Sequence, residues 1–195
     1  RDYDATTSVS AGDISFGNLV GSQTLNKSGT ISISSANVAS YATANINAGS
    51  LSLSDGSNGG IASNYTLSGG THSATVNKKA LGSTGTKVYD GTATASFSNL
   101  TLTGLIGSET LALSGSGTVP NASVESGKTV SLGTIAIADA TGSASNYSLS
   151  GSFVMDITAR AVTASGNRKY DGTTTVSGSD LTTFTNLVGS ETLAA

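Results

Sequence analysis

The phrase Lys87-Val88-Tyr89-Asp90-Gly91-Thr92 returns as Arg168-Lys169-Tyr170-Asp171-Gly172-Thr173, and a variant, Arg1-Asp2-Tyr3-Asp4-Ala5-Thr6, opens the chain. Two further phrases keep the same order. Val20-Gly21-Ser22-Gln23-Thr24-Leu25 recurs as Ile106-Gly107-Ser108-Glu109-Thr110-Leu111 and Val188-Gly189-Ser190-Glu191-Thr192-Leu193, displaced by 86 and then 82 residues. Asn64-Tyr65-Thr66-Leu67-Ser68-Gly69 recurs 82 residues later as Asn146-Tyr147-Ser148-Leu149-Ser150-Gly151. Three landmarks in one order at one spacing mark a duplicated unit of about 80 residues, so fold and function are to be sought per unit and in what a string of units does. The 195 residues divide into a first repeat over 1–77 with its first strand missing, a second over 78–158, and the start of a third over 159–195. The pattern is expected to continue in a longer array.

Helix signals are weak, because Gly, Ser, Thr and Asn interrupt every stretch long enough for three turns. Strand signals recur instead. Thr30–Ser34, Ser50–Ser54, Leu100–Thr103, Val130–Leu132 and Thr134–Ala138 alternate apolar with small polar residues, which puts Leu, Ile and Val on one face of a strand and hydroxyls on the other. Turn elements lie between them at Asp55–Gly60, Gly82–Gly85, Ser114–Gly117, Ser126–Gly127 and Thr141–Ser143. Short strands with close turn punctuation predict an all-β chain of tandem Ig-like antiparallel β-sandwich modules forming an elongated rod. A β-solenoid is the alternative; its coils would repeat every twenty to thirty residues, and the strong period here is near 82. Val154–Thr158 reads as a last strand and Ala159–Ala164 as the next first strand, with no flexible spacer between them.

Composition narrows the function. Charged residues are 11% of the chain and the formal charge is −3, while 34 Ser and 28 Thr make a neutral, hydroxyl-rich surface. The nine basic residues are scattered, which argues against nucleic acid as a partner. There is no cysteine and hence no disulfide or thiolate metal site. Apolar runs fall well short of the roughly 20 residues that span a bilayer, so no membrane insertion is expected in this segment.

The candidate residues each carry a chemical and a structural reading. Asp90-Gly91 and Asp171-Gly172 would offer carboxylates to calcium, but calcium wants six to eight oxygens and no further acids accompany them. A tight turn, with Gly at positive φ, Asp bonding nearby amides and Tyr89 or Tyr170 anchored on the core, is the favoured reading, and no cofactor is expected. Glu109 and Glu191 occupy one repeat position without a second carboxylate, and Gln23 stands there in the first copy, which speaks for a hydrogen-bonding role and against glycosidase chemistry. Asn64-Tyr65 and Asn146-Tyr147 read as a turn and a strand whose Tyr caps the core, with stacking on sugars as the alternative. Asn26, Asn64, Asn99, Asn121 and Asn146 begin Asn-x-Ser/Thr triplets and are candidate glycan acceptors. Lys87 with Asp90, or Lys79 with a strand Asn, raises an isopeptide cross-link, which needs the amine, its partner and an acid buried together. Ala5 in place of glycine is expected to alter the turn after Asp4. His72, the single histidine, reads as a surface residue, and no nucleophile elbow accompanies it; the chain is not expected to be an enzyme.

Tyr89-Asp90-Gly91-Thr92, Ile106-Gly107-Ser108-Glu109-Thr110, Ser145–Gly151 and Asp156–Val162, in that order, resemble the YDG repeat, and the layout is similar to the related MBG repeat. Such repeats stand in tandem in very large secreted or surface-anchored bacterial proteins similar to filamentous haemagglutinins, often exported by a two-partner system. The resemblance implies an extracellular adhesin shaft with no catalytic residues. Its expected partners are neighbouring repeats, further copies in a fibre, or a host or matrix glycan or protein. The structural motif then comprises Tyr3, Tyr89, Asp90, Gly91, Tyr170, Asp171, Gly172, Asn64, Tyr65, Asn146 and Tyr147.

Overall fold

A computed structural model describes residues 1–194. Among the described residues every regular element is a β-strand or a single-turn 3-10 segment, and the strands form several small sheets with no closed barrel, compatible with a β-sandwich. No helix among the described residues is long and apolar enough to cross a membrane. Contacts gather the chain into two units. One comprises Arg1–Ala80, Gly104–Thr110 and Asp139–Ser148; the other comprises Leu81–Thr103, Leu111–Ala138 and the chain from Leu149 onward.

The second unit is built on a four-stranded sheet in the order Leu100–Thr103, Gly82–Val88, Val154–Thr158, Glu125–Thr129. Its outer pairs are antiparallel, but Gly82–Val88 and Val154–Thr158 run parallel, with Thr86 opposite Asp156 and Val88 opposite Thr158. The sheet is therefore mixed where the sequence predicted antiparallel pairing throughout. A chain whose first and last strands lie parallel leaves the sheet at the end opposite its entry, which is the geometry a tandem repeat needs. Alternate residues of the last strand, Met155 and Ile157, are buried at 0% and 2% exposure. They join Ala95, Leu100, Val119, Val130, Ile135 and Phe153 in one core. Each large apolar side chain buried this way contributes about 1.5–3 kcal/mol.

Of the expected strands, Val130–Leu132 makes only an isolated bridge from Ser131 to Thr118, and Ala159–Ala164 shifts to Thr163–Gly166. Two expected turns, conversely, are strands. Gly82–Gly85 reads as a turn in sequence, yet it is the start of the strand Gly82–Val88. Its glycines answer close backbone approach: a β-carbon on Gly82 would lie 2.3 Å from the Ser152 carbonyl, and one on Gly85 would lie 2.3 Å from the Asn99 carbonyl. Glu125–Thr129 contains the predicted Ser126–Gly127 turn but forms a strand, with an irregular register between Glu125 and Lys128 and Gly127 at φ +70.

In the first unit, Ser8–Ser10, Thr30–Ile33 and Ile46–Asn47 form a three-stranded sheet, Leu25–Ser28 pairs with Ser52–Asp55, and Ala39–Ala42 pairs with Ser73–Val76. Val9, Ile31, Ile33, Tyr41 and Val76 are buried. Lys79–Ala80 runs parallel with Tyr147–Ser148, so this unit holds a piece of the second repeat beside the first.

Candidate functional site

In the first unit the repeat phrases converge on one carboxylate. The Tyr147 hydroxyl donates to Glu109 Oε2 at 2.5 Å, and the Tyr3 hydroxyl donates to Glu109 Oε1 at 2.6 Å. The two rings meet edge to face, with centroids 5.4 Å apart and planes at 76°, a favourable arrangement for aromatic quadrupoles. The Ile106 amide donates to the Tyr147 oxygen at 3.1 Å, so that hydroxyl is used as both donor and acceptor. Tyr147 and the neighbouring Asn146 are each only 1% exposed. The Asn146 side chain accepts from the Val38 amide at 2.9 Å and donates to Asn37 Oδ1 at 3.0 Å. Glu109, Asn146 and Tyr147 belong to the second repeat, whereas Tyr3, Asn37 and Val38 belong to the first. The cluster is therefore a joint between consecutive repeats, folded inside one compact unit.

Part of the arrangement recurs in the second unit. Tyr89 donates its hydroxyl to Glu191, and Gly91 packs so closely on Val188 that a β-carbon there would lie 2.8 Å from Val188 Cγ1. Tyr89 stands in the second repeat where Tyr3 stands in the first, and Glu191 stands in the third where Glu109 stands in the second. Within the first repeat, the Tyr65 hydroxyl donates to Gln23 Oε1 at 2.5 Å and accepts from the Val20 amide at 3.1 Å, the counterparts of the Tyr147 contacts.

The electrostatics follow the geometry. Burial, reinforced by Glu109, pushes the Tyr147 hydroxyl up to about 12, and the same two causes raise Tyr3. Tyr89 is raised by its bond to Glu191 and then by burial. All three therefore hold their protons at neutral pH and serve as donors.

A cation fixes the turn that carries each tyrosine. Lys87, its side chain 5% exposed, places Nζ 2.9 Å from Asp90 Oδ1, 2.7 Å from the Thr92 carbonyl and 2.9 Å from the Thr94 carbonyl. Asp90 Oδ1 also accepts the Thr92 amide at 2.9 Å, and the Lys87 ammonium holds this carboxyl at about 2. Arg1 makes the same contacts to Asp4 and Thr6, and Arg168 to Asp171 and Thr173. Ala5 keeps the left-handed backbone, φ +61 against +75 at Gly91 and +76 at Gly172, so the expected change of turn does not occur. Arg1 and Asp4 fasten both sides of the turn and hold the alanine there.

The other sequence candidates lie apart from the joints. The Asp90 side chain is 47% exposed, so no acid is buried with Lys87 as an isopeptide bond would need. Asn26, Asn64 and Asn121 are exposed and Asn99 is half-buried, whereas Asn146 is enclosed with its amide engaged, closed to an enzyme acting on the folded chain. His72 is half-buried against the Leu67 carbonyl at 3.0 Å. Tyr170 is 95% exposed rather than anchored on a core. No group of three or more His, Asp or Glu side chains among the described residues gathers to hold a metal.

Taken together, the turn, the Gly-Ser-Glu-Thr loop and the buried Asn-Tyr pair make one pattern, and a family model spans it. Residues 71–153 are a YDG domain. The YDG domain takes in Tyr89-Asp90-Gly91, Glu109 and Asn146-Tyr147, begins ahead of the strand Ser73–Val76, and stops short of Val154–Thr158. Comparison with curated proteins and with solved structures finds no match. The role of Glu109 as an acceptor shared by two tyrosines is missed from sequence, where only hydrogen bonding is expected of it. The usable signal is that Tyr3, Tyr89, Glu109 and Glu191 share one period with a Lys or Arg three positions before each Asp.

Proposed function

We propose that this chain is a structural repeat region of an extracellular bacterial surface adhesin, a stalk or fibre that projects a binding tip or builds a filament. The observation that carries the reading is the recurrence of the Tyr–Glu joint, from Tyr3 to Glu109 and from Tyr89 to Glu191. A contact that each repeat makes with its successor gives a quasi-one-dimensional assembly whose length grows with repeat number. The parallel first and last strands of the second repeat suit the same purpose, because entry and exit lie at opposite ends. The low-charge, hydroxyl-rich surface suits a segment that spaces other elements apart without attracting nucleic acid. Antibodies raised against the chain are expected to label intact source bacteria, and small-angle scattering of the chain is expected to give an extended particle. Labelling only after permeabilisation would overturn the location, and a compact globule would overturn the stalk.

A second reading is that each repeat is a glycan- or protein-binding module. The segments between the Gly-Ser-Glu/Gln-Thr-Leu and Asn-Tyr phrases differ between the first two repeats more than the phrases do, as binding loops would. Reproducible micromolar binding on a glycan array would favour this reading.

A further inference from the structure

Tension on a string of repeats enters each one through its first strand and leaves through its last. In the second repeat these strands are Gly82–Val88 and Val154–Thr158, side by side and parallel, with Thr86, Lys87 and Val88 opposite Asp156, Ile157 and Thr158. The pairing reaches back to the start of both strands. Ser83 bridges Phe153, the Ser83 amide donates to the Ser152 carbonyl at 2.9 Å, and the Gly151 amide donates to the Leu81 carbonyl at 2.8 Å. At the far end the Tyr89 amide donates to the Thr158 carbonyl at 2.9 Å. Parallel neighbours put the incoming chain at one end of this ladder and the outgoing chain at the other, so a pull on the two slides the strands along each other and strains every rung at once. An antiparallel pair would have entry and exit at one end, and the same pull would open its rungs one after another.

The ladder is also shielded from water. Leu100–Thr103 and Glu125–Thr129 pair with its outer edges, and Met155 and Ile157 seal one face against the core. A rung strained there has no solvent partner to take over, so breaking it leaves its donor and acceptor unsatisfied. Lys87 adds a second hold, tying the first strand to the Thr92 and Thr94 carbonyls that follow it. The first repeat has the same end rung: Asp2 bridges Asn77 in parallel, and the Tyr3 amide donates to the Asn77 carbonyl at 2.9 Å, as Tyr89 does to Thr158. We infer that this parallel pair is the load-bearing lock of the repeat, a ladder held in shear that lets the chain carry tension without unfolding. The inference rests on the stalk reading for its use, since a segment between an anchor and a tip is the one that is pulled; the lock itself is a property of the fold.

The chain has no cysteine, so introduced pairs place the pulling handles, and Thr84, Val88 and Ala159 are all exposed. Single-molecule force measurements on the 195-residue chain compare Thr84→Cys with Ala159→Cys, which loads the ladder in shear, against Val88→Cys with Ala159→Cys, which pulls both strands from one end and peels it. Each rupture is expected to release roughly 240 Å of chain. At one loading rate the shear force is expected to exceed the peeling force by at least about twofold, because the rungs fail together rather than in turn. The unsubstituted chain, held by its two ends, loads the same ladder in shear and is expected to show a step at the higher force, which keeps the result independent of the cysteines. A ratio below about twofold, or no such step in the unsubstituted chain, would overturn the lock. That failure would leave cell-surface labelling, which tests the stalk reading, untouched, and an absence of labelling would leave the rupture forces unchanged.

Discussion

Ala5 shows how firmly the Tyr-Asp turn is held. A left-handed backbone costs an alanine about 1–2 kcal/mol, and glycine's greater freedom in the unfolded chain offsets about 0.5–1 kcal/mol of the gain from replacing it. Ala5→Gly is therefore expected to stabilise the protein by roughly 0.5–1 kcal/mol in urea unfolding. Lys87 gives the complementary case. Lys87→Met keeps most of the aliphatic stem but strands the Thr92 and Thr94 carbonyls and the Asp90 carboxylate; with Asp90 half in water, the loss should be about 2–3 kcal/mol, at the lower end for a broken buried pair. The turn itself was legible from sequence, since Asp-Gly before Thr predicts both the positive φ and the carboxylate-to-amide bond. Its retention with alanine was not legible, because the Arg1 contacts that hold it cannot be weighed without coordinates.

At the scale of elements, alternation located several strands that carry one apolar face, gave a strand at Val130–Leu132 where Ser131 makes only an isolated bridge, and failed where a strand is defined by backbone proximity. Leu100–Thr103 and Val154–Thr158 follow the period-two rule. Gly82–Val88 breaks it because its neighbours come too close for side chains, and Glu125–Thr129 breaks it because its one buried residue is Lys128. Lys128 is satisfied there by Asn121 Oδ1 at 2.6 Å and Glu125 at 2.9 Å, contacts no hydropathy pattern contains. The strand Tyr147–Ser148 yields a pH prediction. Tyr147 is raised from 10.0 to about 12, so its neutral form is favoured on folding. A raised group gives stability that is whole below the unfolded value near 10 and is lost as pH climbs toward 12. Unfolding midpoints should fall across that window, and Tyr147→Phe should flatten the fall; an unchanged slope would remove Tyr147 as its cause.

For the molecule as a whole, the sequence carried the period, the all-β class and the identity of the recurring phrases. The meeting of phrases from consecutive repeats on one glutamate was not legible, because partners 106 residues apart leave no local signal. Tyr170 supplies the built-in control. With its ring 95% exposed, Tyr170→Phe should change stability by less than about 0.5 kcal/mol, whereas Tyr3→Phe removes a hydrogen bond to a carboxylate and should cost about 1.5–3 kcal/mol. Consecutive repeats are fastened by this tyrosine-to-glutamate contact. A double-mutant cycle on the full chain, with Tyr3→Phe, Glu109→Gln and both together read by urea unfolding, measures that fastening alone. A coupling of about 1–2 kcal/mol is expected, and costs that add to within about 0.3 kcal/mol would show that the two side chains do not fasten the repeats.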